Sequence, residues 1–334
     1  MRRVALFPGG PELSVLGFGA WKAGGSWIYG LGKVDDQTSM ATIRRALEGG
    51  VNWIDTASIY GAGHSEEVVG QVLKNFPHVL VNTKCGHFPS PDGKSTYVDL
   101  SPAAIRRDCE LSLRRLGREC IDIYQFHIPS DSSMQDGWQT MLDLQVEGKV
   151  RWIGSCNTDV TALKTFPGLN LTEGVYNLLH RGLDQSVLPW ARKQQVGVLV
   201  YEAQVTGLLS GFFSAERLAS LPPDDYRHRA VDFQPKVLKR ALGLVEKLRP
   251  LAADLHLSVS ELAIAYACSA PGVTGVMVGA STPVQVEGWL GAGSAELAPS
   301  VREQLTALAA DCGFSPQADE DYAHVLKTIG SQRD

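Results

Sequence analysis

Apolar positions along the 334 residues follow two rhythms. Short apolar runs rich in Val, Ile, Leu and aromatics end near Trp21, Asp55, Lys84, His127, Cys156, Tyr176, Tyr201 and Gly279, and their length and composition predict buried strands. The intervals carry helical spacing instead. "DDQTSMATIRRALEGG" opens on acids and stops at glycines, and "SPAAIRRDCELSLRRLG" opens on Ser101 with Pro102 in its first turn, as amphipathic helices begin and end. Ahead of these, "VALF" and "LSV" flank "PGGPE", which predicts a small hairpin turned by proline and glycine.

Eight strands alternating with helices predict a closed parallel (β/α)8 TIM barrel, because parallel strands need crossover connections and closure leaves no edge. The expectation is one domain over residues 1–334, with a short N-terminal β-hairpin and extended loops on the C-terminal face. A doubly wound sheet is the alternative. Against it, "GGPELSVLGFG" has neither the G-x-G-x-x-G spacing nor the following helix of a dinucleotide fingerprint. "AGGSWIYGLGKVDD" likewise lacks the Gly-Lys-Ser/Thr ending of a phosphate loop. No internal repeat, low-complexity linker or domain boundary interrupts the alternation.

One stretch breaks its own pattern. In "VNWIDTASIYGAGHSEEVVGQVL" an apolar run ends on Asp55, and burying a carboxylate is costly unless it is paired or hydrogen-bonded. Active sites of such barrels form at the C-terminal ends of the strands. Asp55, Lys84 and His127 end the second, third and fourth strands, and Tyr60 follows Asp55 in a glycine-containing loop. The set suits proton donation to a carbonyl oxygen while another group delivers hydride. Asp55 would hold Lys84 protonated and oriented, Lys84 would lower the pKa of Tyr60, and His127 would polarise the carbonyl. Singly, Asp55 reads equally as a cap or ion-pair residue and His127 as a satisfied rim histidine. Their joint placement carries the functional reading.

Composition narrows the partners. A formal net charge of -5 and no long Lys/Arg run leave no footprint for nucleic acid or an anionic membrane. "MRRVALFPGG" carries the charge of a secretory leader, but Pro8 and two glycines cut its apolar stretch. No segment reaches the roughly 18 to 20 apolar residues that cross a bilayer, so a cytoplasmic protein is expected. Six cysteines without CxxC spacing read as reduced, buried thiols. A metal-dependent barrel hydrolase would need His and Asp clusters at strand ends, and the first strand has no His-x-His or His/carboxylate pair, so no metal is expected.

The motifs "GVNWIDTASIYGAGHSEEVVGQVL", "VNTKCG", "IDIYQFH", "GKVRWIGSCN", "VYNLLHR" and "LVYEAQVTGLLSG", in this order, give the chain a marked resemblance to the aldo-keto reductase family. The resemblance implies a (β/α)8 barrel with a nicotinamide cofactor, and Asp55, Tyr60, Lys84 and His127 match the family's catalytic tetrad, with Tyr60 as general acid or base. It further implies that Cys156, Asn157 and Glu173 face the carboxamide of the nicotinamide, where the family has Ser, Asn and Gln. Tyr201 matches the aromatic that stacks on the nicotinamide, and Gln204, Thr206, Gly207 and Leu208 match the segment near the pyrophosphate. NADP(H) is favoured by the family, whose basic residue after the eighth strand holds the extra phosphate. Here Gly279, Ser281 and Gln285 occupy that segment and no Lys or Arg occurs from Gly275 to Ser300, so NAD(H) is also expected to serve. The substrate would be a small carbonyl, alcohol or sugar. Trp27, His64 and His87 fall in the predicted top-face loops, where each reads either as ordinary loop packing or as a substrate contact. The reading from a different class is a cofactor-binding barrel that senses redox state with little turnover.

Overall fold

The computed structural model describes residues 1–129, 133–223 and 225–316. Eight parallel strands close a barrel: β1 (Leu16–Gly19), β2 (Trp53–Asp55), β3 (Leu80–Cys85), β4 (Ile121–Phe126), β5 (Val150–Cys156), β6 (Leu171–Val175), β7 (Gly197–Tyr201) and β8 (Gly275–Gly279). Each pairs in parallel with its sequence neighbour, and β8 pairs with β1 to complete the circle. The expected strand ends agree with the observed ones within two residues. Helices pack outside. The helix Asp36–Glu48 is capped by Asp35, which accepts from the Thr38 amide at 2.7 Å, and Pro102–Leu116 is capped by Ser101. Among the described residues no single helix is long and apolar enough to cross a membrane.

The expected hairpin forms from Arg3–Ala5 and Glu12–Ser14 and plugs the N-terminal end of the barrel. Leu6 and Leu13 are buried there with Trp53, Ile123, Leu171, Leu199 and Met277. The Trp53 indole donates to the Ser14 carbonyl at 2.8 Å, tying plug to barrel. Gly17 makes room for that indole, since a Cβ at residue 17 would lie 2.2 Å from the Trp53 ring.

Above this layer the barrel interior turns polar. Successive strand residues face opposite sides, so inward positions advance by two. β2 runs from Trp53 to Asp55, β3 from Leu80 through Asn82 to Lys84, β4 from Ile123 through Gln125 to His127, and β6 from Leu171 to Glu173. Each series starts apolar at the plug and ends polar at the rim, which aims the strand-end side chains at one another.

Candidate active site

Lys84 is the centre of the polar layer. Its Nζ lies 2.5 Å from Asp55 Oδ2 and 3.2 Å from Glu173 Oε1, and it donates to the Thr56 carbonyl at 3.2 Å. Asp55, Lys84 and Glu173 are 2%, 1% and 3% exposed, so water does not screen this cluster. Asn82 donates to Asp55 at 2.7 Å and to Glu173 at 3.0 Å, and Gln125 donates to Glu173 at 2.7 Å and to Asn82 Oδ1 at 3.0 Å. The Cys156 thiol completes the set, 3.4 Å from Glu173 Oε1.

Tyr60 sits over this cluster in the loop beyond β2. Lys84 Nζ is 5.7 Å from the centre of its ring, and the rings of Tyr60 and His127 meet edge to face at 5.7 Å. A glycine contact sets the loop. Gly61 has φ 61°, and a Cβ there would lie 2.1 Å from the Gly24 carbonyl, so the loop after β1 presses against the backbone that presents Tyr60. Beneath, buried Asp108 accepts from the Ser58 hydroxyl at 2.9 Å and the Gly86 amide at 3.2 Å, pinning the loops after β2 and β3. All four residues of the expected tetrad therefore converge at the end of the barrel opposite the hairpin.

Charge states follow from two carboxylates sharing one ammonium. Burial alone would depress the Lys84 pKa, but Asp55 and Glu173 outweigh it and hold the amine well above its ordinary value. Asp55 is pushed up to about 8, first by burial and then by repulsion from Glu173, with Lys84 opposing. Burial also pushes the Cys156 thiol up. His127 is held neutral by burial, then by His87 and Lys84. The expected lowering of the Tyr60 pKa is not found. Burial raises the phenol above its usual range; Lys84 pulls it down, but Asp55 and Glu173 push it back, because they already neutralise the ammonium.

The other half of the rim is arranged differently. Asn157, Glu202, Val205 and Thr206 have φ of 53°, 63°, 50° and 49° just beyond the ends of β5 and β7. Such conformations cost about 1 to 3 kcal/mol each and cluster where a loop must present a ligand site. Asn157 accepts from the Tyr201 hydroxyl at 2.7 Å and donates to the His127 carbonyl at 3.3 Å, so β4, β5 and β7 are joined at their tips. Gln204 donates to Ser260 and Thr206 to Glu202. The amides of Val205, Gly207 and Leu208 turn back to Glu202, Gln204 and Val205, which commits much of the hydrogen-bonding capacity expected for a pyrophosphate. At the end of β8, beyond Gly279, the Ser281 amide donates to the Gln285 side chain at 2.7 Å, and Thr282 caps the helix Pro283–Leu290. Arg45 reaches this helix from a neighbour but pairs with Glu287 at 3.1 Å.

Of the residues expected to wall the substrate, Trp27 and His87 lie beside Tyr60 and His127, and His64 lies beside Asp36. Trp27 lies 5.8 Å from the Tyr60 ring, and His87 meets His127 edge to face at 5.3 Å. The Trp27 indole nitrogen, both His87 nitrogens and His127 Nδ1 are buried with no hydrogen-bond partner among the described residues. His87 is held neutral, its pKa pushed down to about 4 by burial. His64 instead pairs with Asp36 at 2.8 Å at the start of its helix, with Glu67 3.7 Å away.

Five residues in and around the site were not singled out from the sequence. Asn82 and Gln125 stand two residues before Lys84 and His127, and the period of two alone would have placed them on the inner face. Tyr29 and Tyr226 extend the aromatic wall, 6.0 Å apart, with Trp21 6.0 Å from Tyr226 and Trp27 5.5 Å from Tyr29. Arg229 donates to the Ile28 carbonyl and stitches the same two loops.

The sequence pattern of the Aldo/keto reductase family matches residues 15–310. The NADH-specific methylglyoxal reductase of Escherichia coli is 31% identical over 86% of this chain and 91% of its own length. Aldo-keto reductase YhdN of Bacillus subtilis is 34% identical over 83% and 84%. The glycerol dehydrogenase of Gluconobacter oxydans superposes with a TM-score of 0.83 at 31% identity, covering 93% of this chain and 95% of its own.

Proposed function

The chain belongs to the Aldo/keto reductase family, and from that premise we propose that it interconverts a small carbonyl compound and its alcohol, with Tyr60 moving the proton at the carbonyl oxygen. The observation that carries the reading is the stack of Tyr60 over Lys84, itself 2.5 Å from Asp55, with His127 at the ring edge. The strained loops after β5 and β7 and the joined tips of Asn157 and Tyr201 suit a nicotinamide cofactor, which when bound supplies or accepts the hydride. Cys156, Asn157, Glu173 and Tyr201 would meet its ring end, Gln204 to Leu208 its pyrophosphate, and Ser281 and Gln285 its adenosine end.

In reduction the Tyr60 O–H bond breaks as the substrate oxygen takes the proton. Burial, which keeps the phenol neutral, preserves it as a donor. Lys84 stabilises the phenolate left behind, and Asp55 keeps Lys84 charged. His127 is neutral, so a ring N–H can hydrogen-bond the carbonyl without carrying a competing proton. Trp27, Tyr29 and Tyr226 pack ring against ring beside Tyr60 and would shield a bound substrate from water.

Unpartnered nitrogens around Tyr60 and His127 support a substrate class. Trp27 packs on Tyr60 and His87 on His127, and their free nitrogens suit a substrate with a second oxygen on the adjacent carbon. Methylglyoxal and glycerol, named for two relatives, both have that character. Either nicotinamide cofactor should serve: the family favours NADP(H), while the segment after β8 has no base and the Escherichia coli relative is named for NADH. The test is a panel of hydroxyaldehydes, hydroxyketones, polyols and simple aldehydes, assayed in both directions with each cofactor. Absence of multiple turnover on all of them would overturn the reading and favour a sensor.

A further inference from the structure

The layer beneath Tyr60 holds one charge too many. Asp55 on β2, Lys84 on β3 and Glu173 on β6 lie within hydrogen-bonding distance along a chain, at 2.5 and 3.2 Å, and all are buried. If all three are ionised the cluster carries a net charge of minus one inside the barrel. The remaining groups facing it cannot compensate. Asn82 and Gln125 are neutral amides, and both donate to the carboxylates. Burial holds the Cys156 thiol on β5 neutral, His127 beyond β4 uncharged and the Tyr60 phenol protonated. An unpaired buried negative charge is expensive, and the inexpensive remedy is to bind a proton.

We propose that Asp55, facing Glu173, holds a proton while the site is empty and loses it to solvent when the positive charge of an oxidised nicotinamide ring arrives above the pair. Glu173 thereby links proton uptake to the redox state of the cofactor. The inference rests on the proposed cofactor reading. With an amide at residue 173 the trio would be a balanced Asp–Lys pair with no proton to give. With a glutamate the cluster is neutral only when protonated, or when a cation completes it. The oxidised ring is such a cation; the reduced ring is neutral. The shift of Asp55 to about 8, caused by burial and by Glu173, places the exchange near neutral pH.

The sign is fixed by linkage. Binding that releases a proton strengthens as pH rises, by up to about tenfold per pH unit below the pKa of Asp55. Oxidised cofactor should therefore gain on reduced cofactor from pH 6 to pH 8. Titration calorimetry of the full chain at pH 7, in two buffers of different ionisation enthalpy, counts the protons directly. NADP⁺ should release about one proton per site more than NADPH. The 2′-phosphate is common to both forms, so its titration cancels, and NAD⁺ against NADH repeats the comparison without it. Glu173→Gln, and independently Asp55→Asn, should each bring the difference to near zero, with circular dichroism confirming the fold. Equal proton counts for the two redox forms, or a full difference retained in Glu173→Gln, would overturn this inference while leaving the proposed function intact. Failure of either form to bind would overturn both.

Discussion

The two halves of the barrel rim are built on opposite principles. From β2 to β4 the chemistry sits on rigid strand ends, where Asp55 and Lys84 project from the sheet itself and His127 follows the last residue of β4. From β5 to β8 it sits on loops with left-handed residues, whose polar groups largely satisfy one another. The first half holds the four residues expected as a catalytic tetrad. The second holds Cys156, Glu173 and Ser281 where the family resemblance implies other side chains. Proton transfer tolerates little displacement, so its residues are fixed by the sheet, whereas an extended cofactor meets many weaker contacts that can be exchanged one at a time.

The largest expected effect strikes the rigid half. Tyr60→Phe removes the proton donor and leaves the ring packing against His127 and Trp27, so turnover should fall about 10²- to 10⁴-fold. Cofactor binding, followed by protein fluorescence, should persist. A variant within tenfold of the parent would show that the two halves do not divide the labour as argued.

Lys84→Met should act on rate and on stability together. It deletes the charge that stabilises the phenolate and leaves Asp55 and Glu173 facing each other without a cation. Removing one partner of a buried ion pair costs about 3 to 5 kcal/mol, which thermal denaturation would register as a lower Tm. A variant as stable as the parent at neutral pH would show that the buried carboxylates do not depend on Lys84 for their stability.

How far this was legible depends on what each feature needs. Strand ends and the order of Asp55, Tyr60, Lys84 and His127 follow from local apolar runs, so they could be read directly. Asn82 and Gln125 obey the same period but resemble ordinary polar residues until the barrel aims them inward. The pairing of Glu173 was hidden for a related reason: a carboxylate in a cofactor position says nothing of the ammonium 3.2 Å away on β3. The direction of the Tyr60 shift depends on burial, which no spacing encodes. Tyr29 and Tyr226 are brought together by loops distant in sequence, and His64 is taken by Asp36, a residue on another helix.

Glu173 also gives a smaller test at the seam of the two halves. An acid with a folded pKa above its unfolded value binds its proton more tightly when native, so its contribution is present below the unfolded value and is lost as pH rises. For Asp55, pushed from 3.8 to about 8, stability should decline across that window. The slope is bounded by one proton, about 1.4 kcal/mol per pH unit. Glu173→Gln removes the repulsion, so Tm plotted from pH 5 to pH 8 should flatten relative to the parent. Parallel curves would show that Asp55 does not feel Glu173.

The smallest effect belongs to the loop half. The segment after β8 offers an added phosphate only the Ser281 and Thr282 hydroxyls and a helix N-terminus. Part of that is already used, since the Ser281 amide donates to Gln285 and Thr282 caps the helix. A charge-assisted contact contributes about 1.5 to 3 kcal/mol, roughly tenfold to a hundredfold in affinity, so without one the two cofactors should differ in kcat/KM by less than about a hundredfold. Arg45 does not supply the charge, because Glu287 holds it. Ser281→Arg should shift the ratio toward NADP(H) by about tenfold, mostly through KM, since an exposed guanidinium adds binding without touching the proton path. A parent preference for NADP(H) above about a thousandfold would mean that a basic side chain from another loop reaches the phosphate, and this half of the rim would then be as specialised as the other.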